Sequence, residues 1–174
     1  MLSYQQRINA IHEMLGIPAD YAVSRQLSLQ QECEKPVPAG LDMFEREQQM
    51  QAQALQGWQA MCRAAQKDGI ELQLVSAYRS VDYQVKLFEK KLAAGRSLED
   101  ILSVNAAPGY SEHHTGCAVD LSSPDSECLE ESFEHSEAFA WLKQWAADYD
   151  FYLSFPRDNP QGFLYEPWHW CYRK

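Results

Sequence analysis

The segment from Ser111 to Asp120 combines imidazole and carboxylate side chains at a spacing that suits catalysis. If residues 117–121 form a strand, Asp120 projects from one of its two faces. Gly116 lets the backbone turn just before that strand, so His113 can fold back towards Asp120. We therefore expect one imidazole and one carboxylate to meet at a single point.

A second stretch, Glu166-Pro-Trp-His169, places another imidazole three residues after another carboxylate. His113, Asp120 and His169 together suit one Zn²⁺ ion, and the fourth position stays open for water. Mn²⁺ and Co²⁺ bind the same donor types. Glu166 is then left as an unligated base that can take a proton from that water. This inventory predicts hydrolysis of a peptide bond.

Arg79 is the cation that we expect to face the reacting carbonyl, because its charge does not titrate. It lies between a strand predicted over residues 72–77 and a helix that Ser80 caps. A corner between two elements is a suitable position for a side chain that reaches into a site.

The order of predicted elements indicates an α+β fold with a small, mostly antiparallel sheet flanked by helices. We expect a single domain over residues 1–174, with a helical accessory segment over residues 1–40 and a catalytic core over residues 70–174. The predicted helices are residues 3–15, 42–67, 80–94, a short one from 97, and one from 136. The predicted strands are residues 72–77, 117–121, 151–155 and 163–172.

These motifs carry a family resemblance. Ser-x-His-x-x-Gly-x-Ala-x-Asp at residues 111–120, Glu-Pro-Trp-His at 166–169, and Tyr-Arg-Ser at 78–80 followed by Gln84 resemble the VanY type of D-alanyl-D-alanine carboxypeptidase. That type belongs to a zinc peptidase family that includes lysostaphin-like enzymes and the hedgehog signalling domain. The resemblance covers about residues 72–170, so it implies a hedgehog-like or DD-peptidase-like fold.

The resemblance also implies roles for individual residues. The zinc ligands fall on His113, Asp120 and His169, the general base falls on Glu166, and Arg79 stabilises the reacting carbonyl. Ser111 and Gln84 match positions that line the substrate site. Tyr78 and Trp168 flank these motifs and are our remaining substrate-binding candidates, with core packing as the alternative for both.

The chain departs from the family pattern in two places. The family often has Gly-Phe-x-x-Arg-Tyr-Pro before the second motif, whereas residues 150–156 read Asp-Phe-Tyr-Leu-Ser-Phe-Pro. This difference affects expected substrate contacts rather than the metal. The first 70 residues match nothing in the pattern and could form one side of the substrate site, where they would affect substrate specificity.

Four other residues of metal-binding type need separate roles. We expect His114 to point away from the metal and Cys117 to pack in the core, with a thiolate ligand as the alternative for Cys117. His12 and His135 lie among polar residues and are predicted to be surface side chains.

The expected substrates are peptidoglycan stem peptides or muropeptides, from which the enzyme releases D-alanine. L,D activity on recycled tetrapeptides is favoured over D,D activity on pentapeptides. Cell-wall precursors in the cytoplasm end in D-Ala-D-Ala, and an unrestrained D,D-carboxypeptidase there would destroy them. The alternatives are an endopeptidase, a D-Ala-D-Ala dipeptidase, or a zinc-containing binding domain without turnover.

Composition restricts the partners and the location. Fifteen basic against 25 acidic residues give a net charge of -10, which excludes a nucleic-acid surface and disfavours anionic membranes. No stretch approaches the roughly 20 apolar residues of a membrane span. The first residues lack a signal sequence and the five cysteines form no C-x-x-C pair. We expect a cytoplasmic protein, or a periplasmic one if a signal was trimmed.

Overall fold

A computed structural model describes residues 2–174. The helices are α1 (Tyr4–Leu15), α2 (Tyr21–Ser24), α3 (Ala52–Lys67), α4 (Val81–Ala93), α5 (Leu98–Val104) and α6 (Glu137–Trp145). The strands are β1 (Val37–Leu41), β2 (Glu47–Met50), β3 (Gln73–Ser76), β4 (Ala118–Ser122), β5 (Phe151–Leu153) and β6 (His169–Tyr172). Short 3-10 turns cover Glu112–Thr115, Glu131–His135 and Ala146–Tyr149. Within residues 2–174 every helix falls short of the length and apolarity needed to cross a membrane.

The main sheet has four strands in the order β3-β4-β6-β5, and every neighbouring pair is antiparallel. Asp120 on β4 lies opposite Ser76 on β3 and opposite His169 on β6. Residues that face each other across antiparallel strands project from the same face of the sheet. The expected α+β fold with a small antiparallel sheet is confirmed, and the register places two predicted ligands side by side.

The opposite face of the same strands forms the main core. Val119, Leu121 and Trp170 alternate with Asp120 and His169 along β4 and β6, so they project to the other side of the sheet. There they belong to one buried apolar cluster with side chains of α3 and α6. This packing fixes the two central strands that carry the polar residues.

Serine side chains cap the N-termini of three helices at the positions that the sequence predicts. The hydroxyl oxygen of Ser80 accepts a hydrogen bond from the Tyr83 backbone N–H at the start of α4, and Ser97 caps α5 in the same way. Ser136 likewise caps α6. These caps satisfy backbone donors that the first helical turn leaves free.

The prediction of one long helix over residues 42–67 is wrong in its first part. Residues 37–50 form the β1–β2 hairpin, and α3 begins only at Ala52. The Asp42 carboxylate accepts hydrogen bonds from the Phe44 and Arg46 backbone N–H groups and from the Arg46 guanidinium. Glu45 has a φ of 61°, which a helix does not allow. A side chain that binds its own turn competes with helix formation.

The predicted strands over residues 151–155 and 163–172 are too long. β5 ends at Leu153, and β6 begins at His169 rather than at Phe163. Asn159 explains the difference, because its amide group bonds to the backbone of Pro156 and of Phe163. This local network holds the intervening chain as a loop.

The N-terminal segment packs into the fold. Residues of α1 and α2 form a second buried cluster with α4 and α5, and the predicted boundary at residue 40 falls within β1. Ile8 on α1 is fully buried. Gly109 has a φ of 89°, and a Cβ there would lie 2.7 Å from the Ile8 side chain. The close approach of α1 therefore requires glycine at this position.

We expect Ile8→Ala to lower the free energy of unfolding by about 2–5 kcal/mol, because it leaves a cavity beneath α1. Urea denaturation of the whole chain measures this change. Met14→Ala on the same helix is the matched control, since Met14 is 60% exposed and should cost little. Equal stability of both variants would contradict integral packing of α1.

Candidate metal centre and active site

His113 lies on the 3-10 turn that precedes β4, and its orientation is set by the backbone around it. Gly116 ends the turn with a φ of 71°, and a Cβ there would lie 2.7 Å from the Gln51 backbone nitrogen. The turn therefore packs tightly against the start of α3. His113 is buried, and its Nδ1–H donates to the Ala77 carbonyl oxygen at 2.6 Å.

The Asp120 carboxylate lies between the two histidines. Its Oδ2 is 3.2 Å from His113 Nε2, and its Oδ1 is 3.1 Å from His169 Nδ1. All three residues are buried, and one ligand atom from each lies within 4.8 Å of the others. We call His113, Asp120 and His169 the candidate metal centre.

The protonation of His113 shows that these residues suit a cation. Burial, together with the Arg79 guanidinium, lowers the pKa of His113 to about 4, so its ring is neutral. Because Nδ1 carries the proton, Nε2 presents a lone pair towards a carboxylate oxygen, which is also an acceptor. His113 Nε2 is buried and has no hydrogen-bond partner among residues 2–174. Two acceptors at this distance fit a metal ion between them.

His169 is held from both sides by carboxylates. Its Nε2 is 2.9 Å from Glu112 Oε2, while its Nδ1 faces Asp120. Burial alone opposes a charged ring, but the hydrogen bonds to Asp120 and Glu112 raise the pKa of His169 to about 10. In the metal-free protein a proton therefore occupies the side of the ring that faces Asp120.

Glu166 lies at the edge of the candidate metal centre without replacing any of its three members. It is 8% exposed, and its Oε2 is 3.8 Å from His169 Nδ1. Burial raises the pKa of Glu166 to about 7, despite the attraction of the His169 charge. A carboxyl group with this pKa can both accept and release a proton near neutral pH.

Arg79 comes to the same site from the corner between β3 and α4. Its backbone N–H donates to the His113 carbonyl oxygen at 3.1 Å, and its Nη2 is 3.9 Å from Asp120 Oδ2. Its Nε is buried and has no hydrogen-bond partner among the described residues. The guanidinium therefore keeps a donor free beside the candidate metal centre.

The predicted substrate-binding residues lie at different depths. Ser111 is buried directly before the Glu112–Thr115 turn. Gln84 is buried on α4, donates through Nε2 to the Ala106 carbonyl oxygen, and has no partner for Oε1 within residues 2–174. Trp168 is partly buried against the main core, in keeping with the packing alternative.

Tyr78 and Arg79 line a cavity of about 720 Å³ between the β1–β2 hairpin and the start of α4. The Tyr78 hydroxyl donates to Glu32 Oε1 at 3.0 Å, so the N-terminal segment reaches this wall. The cavity is large enough for a small ligand. The hairpin that sequence reasoning missed thus forms one side of it.

Sequence reasoning also missed Glu112. Its position directly before His113 was the available signal, because metal-binding histidines commonly donate their second N–H to a carboxylate. Glu112 instead accepts a hydrogen bond from the distant His169. Spacing along the chain did not reveal that pairing.

The other metal-binding residue types stay outside the candidate metal centre. His114 is buried, its Nδ1–H donates to the Arg79 carbonyl oxygen, and its Nε2 accepts from the Gly109 N–H. Cys117 is half-buried. The prediction that His12 is a surface side chain is wrong, because its ring packs between Tyr21 and Tyr110.

The sequence of this chain is similar to those of known carboxypeptidases. The family model VanY, D-alanyl-D-alanine carboxypeptidase, matches residues 47–174. The YodJ protein of Bacillus subtilis (strain 168) is 35% identical over 128 residues, which are 69% of this chain and 45% of YodJ. The bifunctional D-Ala-D-Ala dipeptidase and carboxypeptidase VanXYC of Enterococcus gallinarum is 32% identical, over 71% of this chain and 66% of VanXYC. The chain thus spans between about half and two thirds of these relatives.

Solved structures share the fold. The LdcB LD-carboxypeptidase has a TM-score of 0.73 and 31% identity, over 82% of this chain and 70% of LdcB. A VanY D,D-pentapeptidase variant in complex with Zn(II) has a TM-score of 0.60 and 24% identity, over 83% of this chain and 86% of that one. At 24% identity, the similarity to the VanY structure shows a shared fold and nothing more.

We expect the apparent affinity for Zn²⁺ to rise by about tenfold per pH unit from pH 6 to 8, because the metal must displace one proton from His169. The sign follows from its pKa of about 10, below which the ring is protonated. Competition with a chromophoric chelator at each pH measures the slope. His135→Ala, an exposed histidine, should leave the slope unchanged. A flat profile would show that His169 is neutral without metal.

Proposed function

The chain belongs to the VanY family of D-alanyl-D-alanine carboxypeptidases, and from this we propose that it is a zinc carboxypeptidase that removes C-terminal D-alanine from peptidoglycan stem peptides. The proposal depends above all on the buried carboxyl group of Glu166, which lies beside three converging ligand side chains. A buried acid next to an open metal position is the arrangement that peptide hydrolysis by a metalloenzyme needs.

His113, Asp120 and His169 would hold the zinc ion. Bound zinc supplies Lewis acidity, which lowers the pKa of water and polarises a carbonyl group. His113 meets this role as a neutral ring whose free Nε2 already points at Asp120. With these three protein ligands, a four-coordinate zinc ion would keep one position for the reacting groups.

Glu166 carries the proton in the proposed reaction. Its carboxylate takes a proton from the attacking water as the water oxygen bonds to the carbonyl carbon of the last peptide bond. It then gives that proton to the amide nitrogen as the carbon–nitrogen bond breaks. The products are the shortened peptide and free D-alanine. The raised pKa of Glu166 suits both transfers.

Arg79 stabilises the negative charge that develops on the carbonyl oxygen. Its free Nε and its position beside Asp120 support this role. A fixed cation in a water-poor site favours the transition state more strongly than it would in bulk solvent. Ser111 and the free Oε1 of Gln84 are the proposed contacts for the terminal residue.

We further propose that the preferred substrate is a tetrapeptide with an L,D bond at its C-terminus. The LdcB structure, described as an LD-carboxypeptidase, matches with a TM-score of 0.73. VanXYC, described as acting on D-Ala-D-Ala, supports a D,D enzyme as the second candidate.

Glu166→Gln should lower kcat by about 10²–10⁴-fold, because it removes the group that moves the proton but not a proposed ligand. Zinc content after dialysis should match the wild type. Glu99→Gln, a carboxylate on exposed α5 surface, is the matched control and should retain activity. Wild-type turnover by Glu166→Gln would exclude Glu166 as the base, whereas inactivity of the wild type on every stem peptide would favour a binding domain.

The substrate preference can be read from paired stem peptides. Mass spectrometry of the zinc-loaded protein should show loss of one D-alanine from the tetrapeptide, and a chelator should abolish that loss. Cleavage of the pentapeptide alone would instead identify a D,D-carboxypeptidase. Release of internal fragments would identify an endopeptidase.

A further inference from the structure

Glu112 lies on the opposite side of the His169 ring from Asp120. The His169 Nε2–H donates to Glu112 Oε2 at 2.9 Å, while Nδ1 is 3.1 Å from Asp120 Oδ1. An imidazole that offers one nitrogen to a metal must carry its proton on the other nitrogen. The carboxylate of Glu112 therefore determines which nitrogen of His169 faces the candidate metal centre.

Two further side chains hold Glu112 in place. The Ser154 hydroxyl donates to Glu112 Oε2 at 2.6 Å, and Arg173 Nη2 donates to Glu112 Oε1 at 3.1 Å. Arg173 Nη2 also donates to the Ser154 hydroxyl oxygen at 2.9 Å. Ser154 follows β5 and Arg173 follows β6, so the carboxylate joins the ends of two paired strands to the turn that carries His113.

The two histidines are oriented by different kinds of acceptor. His113 donates its Nδ1–H to the neutral carbonyl oxygen of Ala77, whereas His169 donates its Nε2–H to an anion. An anionic acceptor makes the opposite nitrogen a stronger donor to a metal. Removing the charge of Glu112 should therefore affect His169 and leave the hydrogen bond of His113 intact.

We infer that Glu112 is a positioning residue for the metal centre, with Ser154 and Arg173 as its anchors. Glu112 acts by fixing the orientation and protonation of the His169 ring. This role rests on the proposed metal site but is independent of which peptide the protein cleaves. Its test is therefore metal binding rather than turnover.

The test compares Zn²⁺ affinity of the wild type with that of Glu112→Gln, which keeps the side-chain length but loses the charge. Competition with a chromophoric chelator should show binding about 10- to 100-fold weaker in the variant. Arg173→Gln removes an anchor and should weaken binding less. Glu131→Gln is the matched control, because it also removes a carboxylate from an arginine pair, with Arg157, on the exposed surface.

Long-range proton–nitrogen NMR spectra of the zinc-loaded proteins distinguish positioning from a general loss of structure. The wild type and Glu131→Gln should show a strongly deshielded Nε2–H of His169, and Glu112→Gln should lose that deshielding. Signals of the His113 Nδ1–H, which bonds to Ala77, should stay unchanged in every variant and so report an intact fold.

Zinc affinity of Glu112→Gln within twofold of the wild type, with unchanged His169 signals, would overturn the inference. Loss of the His113 signals together with those of His169 would also overturn it, because the residue would then be needed for folding. A wild type that binds no zinc would overturn both this role and the proposed function. A wild type that binds zinc tightly but releases no D-alanine would overturn only the function.

Discussion

A buried carboxylate at the centre of the main sheet is the constraint on which the site depends. Asp120 is 5% exposed in the middle of β4, where an unpaired charge would be very unfavourable. Although burial opposes its ionisation, the hydrogen bond from the His169 ring helps to hold the pKa of Asp120 well below its usual range. The sheet register, the Glu112–Thr115 turn and the Arg79 corner all bring positive or metal-binding groups to this one side chain. The polar face of the sheet is thus organised by charge balance, and the apolar face is organised by packing.

The parts of the site that the sequence predicted are those determined by local geometry. His113 and Asp120 are separated by a glycine turn and the start of one strand, so their approach follows from the chain itself. Glu166 and His169 are three residues apart and both lie near the start of β6. The serine caps of α4, α5 and α6 were equally local. These features depend on neighbouring residues and on backbone rules that hold in any fold.

The parts that were not predicted depend on contacts between distant residues. Glu112 bonds to His169, 57 positions away, and to Ser154, 42 positions away, so its place beside His113 does not reveal either partner. The turn and second strand of the β1–β2 hairpin were mistaken for part of a helix, because their glutamines and scattered apolar residues also fit a helical face. The fold decides otherwise, since the Tyr78 N–H donates to the Gln49 carbonyl oxygen and β2 is tied to the Tyr78–Arg79 corner.

The residues that the family model matches and the residues that pack together have different limits. The family match begins at residue 47, which is the first residue of β2, while the partner strand β1 lies before it. Upstream of that point, the Gln30 N–H donates to the Gly109 carbonyl oxygen and the Cys33 N–H donates to that of His114. A chimera of this chain and a relative should therefore keep α1 and all the residues that follow it together. A junction at residue 47 would separate β1 from β2 and expose the second buried cluster, which α1 and α2 form with α4 and α5.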